Sequence, residues 1–219
     1  MADMFLEIGV GLKWMGLLLS PILLLPLIVL VWPIQPSGRL AALYSLLDRI
    51  SGFAQTIAMA TVVVMVLAQL TVVIIRHVYG LAFSWLDETV IYSFASVFLL
   101  GAAGALRDDA HVRVDILRDR FGPRLRAMIE LCGIYIFVFP IGILVLWAVE
   151  PSLTRSWAGF EGSRESDGLP VYFLFRTLIP VFALLLISQG VSNALKLAMA
   201  LRGRGSLQAT SPQGPTEAL

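Results

Sequence analysis

Side chains able to do chemistry are sparse in this chain, and most of them crowd into one place. Between Arg107 and Asp115 the sequence reads RDDAHVRVD, its densest run of charge, and upstream Asp87 and Glu88 form an isolated acidic pair. The only two histidines are His77 and His111, and the only cysteine is Cys132. One cysteine excludes an intrachain disulfide and a cysteine metal cluster. Between Leu131 and Gly133 it reads as a small buried core residue. Haem ligation needs two histidines facing each other at matched depth, whereas these two fall at opposite ends of apolar stretches. Phosphate-cradling glycine motifs and zinc-protease motifs are missing. No catalytic residue, metal site or cofactor is expected. The charged run keeps two readings open. It is a solvated surface whose arginines lie near anionic headgroups, or an ordered network of Arg107, Asp108, Asp109, His111, Arg113 and Asp115 that docks a partner subunit.

The elements that must carry these residues are apolar. The 219 residues are 58% hydrophobic and only 14% charged, and the mean hydropathy is +0.85. That is too apolar for one water-soluble core and implies an integral membrane protein. The formal charge of +1 points to neither a nucleic acid nor an acidic partner. Five stretches contain no Asp, Glu, Lys or Arg: Trp14 to Trp32, Phe53 to Ile75, Thr89 to Leu106, Leu131 to Val149 and Thr177 to Leu195. Each approaches the roughly 20 residues that a helix needs to cross about 30 Å of hydrocarbon. The expected fold class is therefore an all-α integral membrane protein. It has four core transmembrane helices, one additional N-terminal membrane helix and interfacial amphipathic helices.

Local signals place the boundaries. The first stretch contains Pro21 and Pro26 and follows Asp3 and Glu7, so it suits a kinked or re-entrant helix better than a cleaved signal peptide. Leu40, Leu43, Leu47 and Ile50 recur at helical spacing and predict an interfacial helix leading into the second span. Gly80 permits a turn, and Ser84 with Asp87 three residues on resembles a capping box. Asp87 and Glu88 would lie at the positive end of the third helix's dipole. Gly101 and Ala105, four apart among other small residues, predict a close helix contact. Val114, Leu117, Phe121 and Leu125 share a helical face, so residues 107–126 read as a surface helix broken at Gly122-Pro123. Pro140 and Gly142 suggest a bend, 150–168 a polar loop, and 203–219 a disordered tail. Gln55, Gln69, Gln189 and Asn193 are read as hydrogen-bonding between helices. Trp85, Trp147 and Trp157 are read as interfacial belt residues.

Basic residues orient the whole. Eleven (Arg39, Arg49, Arg107, Arg113, Arg118, Arg120, Arg124, Arg126, Lys196, Arg202 and Arg204) fall on one side, and five (Lys13, Arg76, Arg155, Arg164 and Arg176) on the other. The first side is expected to be cytoplasmic, with the N-terminus outside and the C-terminus inside. Neither paired broken helices nor an internal repeat is visible, so a transport path of the chain's own is not expected.

Family-level likeness rests on several segments in order. Trp85-Leu86-Asp87-Glu88, Phe98 to Ala102, Arg107 and His111 to Leu117 resemble motifs of the DctQ-like small membrane subunit of tripartite ATP-independent periplasmic (TRAP) transporters. Gly168-Leu169-Pro170-Val171-Tyr172, Ile179-Pro180 and Leu186 to Gly190 resemble that family's last-helix region. Asp87 stands where a second glutamate is common, and the Trp14 to Trp32 segment is additional to the family's four spans. The resemblance implies a complex in which a periplasmic binding protein delivers a solute, often an organic anion, to a large membrane subunit. The small subunit would be a scaffold in the bacterial inner membrane. Trp85, Asp87, Glu88, Gly101 and Arg107 become candidate interface or structural-motif positions, as do His111, Asp115, Gly168, Pro170 and Gln189. The implied organisation is an N-terminal region 1–52, a four-helix membrane domain 53–200 and a tail 201–219. The alternative is a membrane anchor or assembly subunit of an unrelated complex.

Overall fold

A computed structural model describes residues 22–31, 38–108 (without the side chain of Arg39) and 121–201. In chain order the elements are α1 (Ile22–Val31), α2 (Gly38–Val78), α3 (Ser84–Arg107), α4 (Pro123–Gly133), a π-helical turn (Ile134–Val138), α5 (Phe139–Ala158) and α6 (Tyr172–Leu201). Helix is the only regular structure among the described residues. It bonds each N–H within its own segment, which a hydrocarbon environment demands. Four rods are long and apolar enough to cross a membrane: α2, α3, the continuous Pro123–Ala158 rod, and α6. Of the first apolar stretch only α1 is described, a short helix whose Leu23 carbonyl accepts a hydrogen bond from Tyr135 Oη at 2.6 Å. The rest of that stretch, the 109–120 segment and the tail lie outside the described residues.

The centre of the bundle is α6. Of its apolar window 39% is buried, against 11–17% for the other three rods. Val29 of α1, Leu131 of α4, Ile134, Phe139 of α5 and Leu195 of α6 share one core cluster. Ala54 and Ala58 of α2, Leu100 and Ala103 of α3 and Leu185 of α6 form a second. Small residues set the spacing of the α5–α6 seam. A Cβ on Gly142 would come within 2.5 Å of Ile187, and one on Gly190 within 2.9 Å of Phe139. Close approach of this kind maximises dispersion where lipid supplies no hydrophobic drive.

Several expectations are corrected by the geometry. The helix predicted to lead into the second span does so without a break, because α2 runs for 41 residues, about 60 Å at 1.5 Å per residue. Leu40, Leu43 and Leu47 are partly buried and pack on the first core cluster. The loop expected from residue 150 begins later, since α5 continues through Ala158. Cys132 is exposed rather than buried. The bend expected near Pro140 takes the form of the π turn, where the Phe139 N–H reaches back to the Ile134 carbonyl. Widening the helix there gives room for a proline ring that would otherwise crowd the preceding turn. Gly80 does adopt a positive φ, +69°, at the predicted turn, and at the predicted break Pro123 opens α4.

Candidate functional site

Two polar clusters lie at opposite ends of the bundle, and each is built by three helices or a helix and a loop. At one end the organising group is Asp48 of α2. Its Oδ1 accepts from Ser192 Oγ at 2.6 Å and Gln189 Nε2 at 3.1 Å, and its Oδ2 from Lys196 Nζ at 2.6 Å. All three donors come from α6, where positions 189, 192 and 196 form one polar stripe at helical spacing. Gln189 and Ser192 are fully buried. The half-buried Asp48 carboxylate, its side chain 25% exposed, offsets its desolvation with these three bonds.

Arg107 extends this cluster to α3. Its Nη2 donates to Gln55 Oε1 at 2.7 Å, its Nε to Asp108 Oδ1 at 2.8 Å, and its Nη1 to the Asp48 carbonyl at 3.4 Å. Gln55 Nε2 in turn donates to Asp108 Oδ2 at 3.1 Å. Asn193 Nδ2 donates to the Leu106 carbonyl at 3.0 Å, capping an orphan acceptor at the end of α3. Glycine makes the crossing possible. A Cβ on Gly104 would come within 2.7 Å of the Gln55 side chain, and one on Gly52 would collide with the Arg107 guanidinium. The hydrogen bond from Arg107 holds the Asp108 carboxyl below the usual carboxylate range, against the opposing effect of burial.

At the other end, Glu88 clamps the loop between α5 and α6. It accepts a hydrogen bond from Ser163 Oγ and another from the Leu169 N–H at 2.7 Å. Gly168 lies where a Cβ would strike Ser163 and come within 2.9 Å of Glu88 Oε1, so the clamp needs a residue without a side chain. Ser163 N–H also bonds to the Leu169 carbonyl at 3.1 Å. The expected capping box at Ser84 does not form. Phe83 is the N-cap without a side-chain bond, and the Ser84 N–H donates instead to Asp167 Oδ2 at 3.2 Å from the same loop. Asp87 pairs with Arg76 of α2 at 2.8 Å. Arg176 donates to Ser152 Oγ at 2.7 Å and meets Glu161 at 3.3 Å.

The sequence candidates divide accordingly. Arg107 and Gln189 meet in the Asp48 cluster; Glu88 and Gly168 meet in the loop clamp, with Pro170 exposed beside it. Asp87 is spent on Arg76, and Trp85 is 43% exposed with its ring 6.3 Å from that of Phe83. Gly101 faces Ala58 at an ordinary 3.9 Å, and the tighter approach of α2 and α3 is one turn on, at Gly104. His111 and Asp115 lie outside the described residues. Of the four span amides, Gln55, Gln189 and Asn193 do bond between helices. Trp157 Nε1 donates to Thr177 Oγ1 at 3.0 Å, so this ring joins α5 to α6. The residues that sequence reasoning missed are Asp48, Ser192 and Lys196. The stripe of polar groups at 189, 192, 193 and 196 in an otherwise apolar helix was the available signal.

Helices of membrane length, cross-bonded at one end by amides and charges and at the other by a carboxylate-clamped loop, define a small multi-span membrane protein. Residues 62–200 match the family model for tripartite ATP-independent periplasmic transporters, DctQ component, and the chain belongs to that family. Comparison with curated proteins and with solved structures finds no significant match. The family match begins within α2, so Asp48 and Gln55 lie before it while their partners on α3 and α6 lie inside it.

Proposed function

We propose that the chain is the non-catalytic small permease subunit of its transporter. It braces a large membrane subunit that takes up a small solute, an organic anion, delivered by a periplasmic binding protein and driven by an ion gradient. Membership of the family supports the class. The observation that carries the bracing role is that Asp48, Arg107, Gln55, Gln189 and Asn193 bond to one another across α2, α3 and α6. Groups spent in this way fix helices against each other; a substrate path would keep ionisable groups available in a cavity. In this reading the Asp48 end is cytoplasmic and the Glu88 clamp periplasmic, in the bacterial inner membrane. Residues 53–200 form the subunit core, with 1–52 and 201–219 as appendages. Arg107 serves here as an internal tie between α2 and α3, and His111 and Asp115 are proposed as contact positions for the partner. An affinity tag on this chain should retain a membrane protein of about a dozen spans in mild detergent. Recovery of the chain with a redox-cofactor protein instead would move it to the role of anchor for an unrelated complex.

A further inference from the structure

Phe160, just past the end of α5, has φ +44°, and it is the one non-glycine residue with a positive φ among the described residues. The way α5 ends explains the angle. The Phe160 N–H bonds to the Trp157 carbonyl at 3.3 Å and the Glu161 N–H to the Ser156 carbonyl at 2.9 Å, a helix ending whose next residue is left-handed. Glycine normally takes that position, because a Cβ there crowds the following carbonyl oxygen. Here Gly159 stands one residue earlier, with φ −99°, and does not use that freedom. The ring that the strained backbone holds in place is not buried. Phe160 is 56% exposed and meets Phe173 edge-on, with ring centroids 5.7 Å apart.

The height of this ring can be measured along α6. The charge-free run Thr177 to Leu195 is about 28 Å long at 1.5 Å per residue, which matches the hydrocarbon layer. Phe173, whose N–H bonds to the Glu161 carbonyl at 3.0 Å, lies four residues beyond that run, about 6 Å further out. Headgroups add about 5–8 Å to each side of the hydrocarbon, so Phe160 stands in that layer. Two more exposed aromatic residues stand at the same height at this end of the bundle: Tyr79, four residues after Ile75, and Trp85, four residues before Thr89. Because α6 lies between α5 and the α2–α3 pair, these rings come from different sides of the bundle. A lipid layer selects aromatic rings at one height all round, whereas a partner subunit covers one side.

We infer that Phe160 is a lipid anchor. Its ring occupies the headgroup layer at the loop-clamp end, and the strained turn aims it there. The inference needs no partner subunit and so does not depend on the proposed function. A nitroxide on Phe160→Cys, in a Cys132→Ser background, reads the depth in liposomes of phosphatidylethanolamine and phosphatidylglycerol, with the chain alone and with the large subunit added. Labels on Leu144→Cys, exposed within the α5 span, and on Glu165→Cys, exposed in the loop, are the references. The label at 160 should collide with both lipid-soluble oxygen and a water-soluble nickel chelate, at a ratio between the two references, and keep that ratio when the large subunit is added. A ratio equal to either reference, or loss of both collisions on adding the large subunit, overturns the assignment. Strain is read separately. Phe160→Ala keeps a Cβ on the left-handed residue and Phe160→Gly removes it, so the glycine variant should unfold about 2–8 °C above the alanine variant, the shift that the left-handed penalty produces in a chain of this size. An unfolding temperature for glycine equal to or below that for alanine would mean that the turn carries no strain, and with it would go the reason for placing the ring there.

Discussion

Asp48 accepts three side-chain hydrogen bonds from α6, and its loss leaves Ser192 Oγ only the Tyr44 carbonyl at 3.4 Å and Gln189 Nε2 only Asn193 Oδ1 at 3.0 Å. Asp48→Ala should destabilise the chain by about 1–3 kcal/mol, the cost of leaving buried donors unpaired. Lys196→Ala should cost less, below about 1 kcal/mol, because the Lys196 side chain is 39% exposed and its ammonium can turn to water. Thermal unfolding of the two variants in one detergent reads the difference, and equal effects would mean that Asp48 acts only through its ion pair. At this scale the sequence was partly legible. The amides at 55, 189 and 193 are visible as polar residues in apolar helices that need partners. Asp48 was hidden, because a lone acid in an amphipathic stretch looks solvated until α6 is laid against it. The fate of the Ser84 cap depends on Asp167, which a local capping pattern cannot see.

Helices are set apart by glycine, and the tightest contact is the one that matters. Gly104→Leu should break the α2–α3 crossing, because it displaces Gln55 and with it the Arg107 bond. Gly101→Ala should be tolerated, since its Cβ would sit 3.9 Å from Ala58. Gly101→Leu lies between them and should weaken contact without dislodging Arg107. Membrane yield and co-purification of the large subunit rank the three, and a defect in Gly101→Ala as large as that in Gly104→Leu would contradict the packing described. Existence of the four rods was readable because charge-free runs near 20 residues have few alternatives in a membrane, but not their length, since α2 runs for 41 residues and the Pro123–Ala158 rod for 36. Facing was not. A run apolar on all sides carries no periodic mark of its buried side, which is why Cys132 was assigned to the core and is exposed. The π turn was legible only as a bend, since Pro140 signals disruption without saying how the backbone absorbs it.

Across the whole molecule, the clusters sort the described bases into two ends. Arg107 and Lys196 share the Asp48 end, while Arg76 and Arg176 share the end of the loop clamp. The structure thus groups these four as the basic-residue count does. Alkaline phosphatase fused after Arg204 should be inactive if that end is cytoplasmic, and an active fusion would invert the proposed orientation. The Asp48 cluster also joins the part of α2 that precedes the family match to helices within it. The central claim is that this chain braces a transporter and is not itself the pathway. Its most direct test is solute uptake into proteoliposomes, with candidate organic anions, an imposed ion gradient and the periplasmic binding protein present. The bracing account predicts no saturable uptake with this chain alone and gradient-driven uptake once the large subunit is added. Saturable uptake by this chain alone would contradict it.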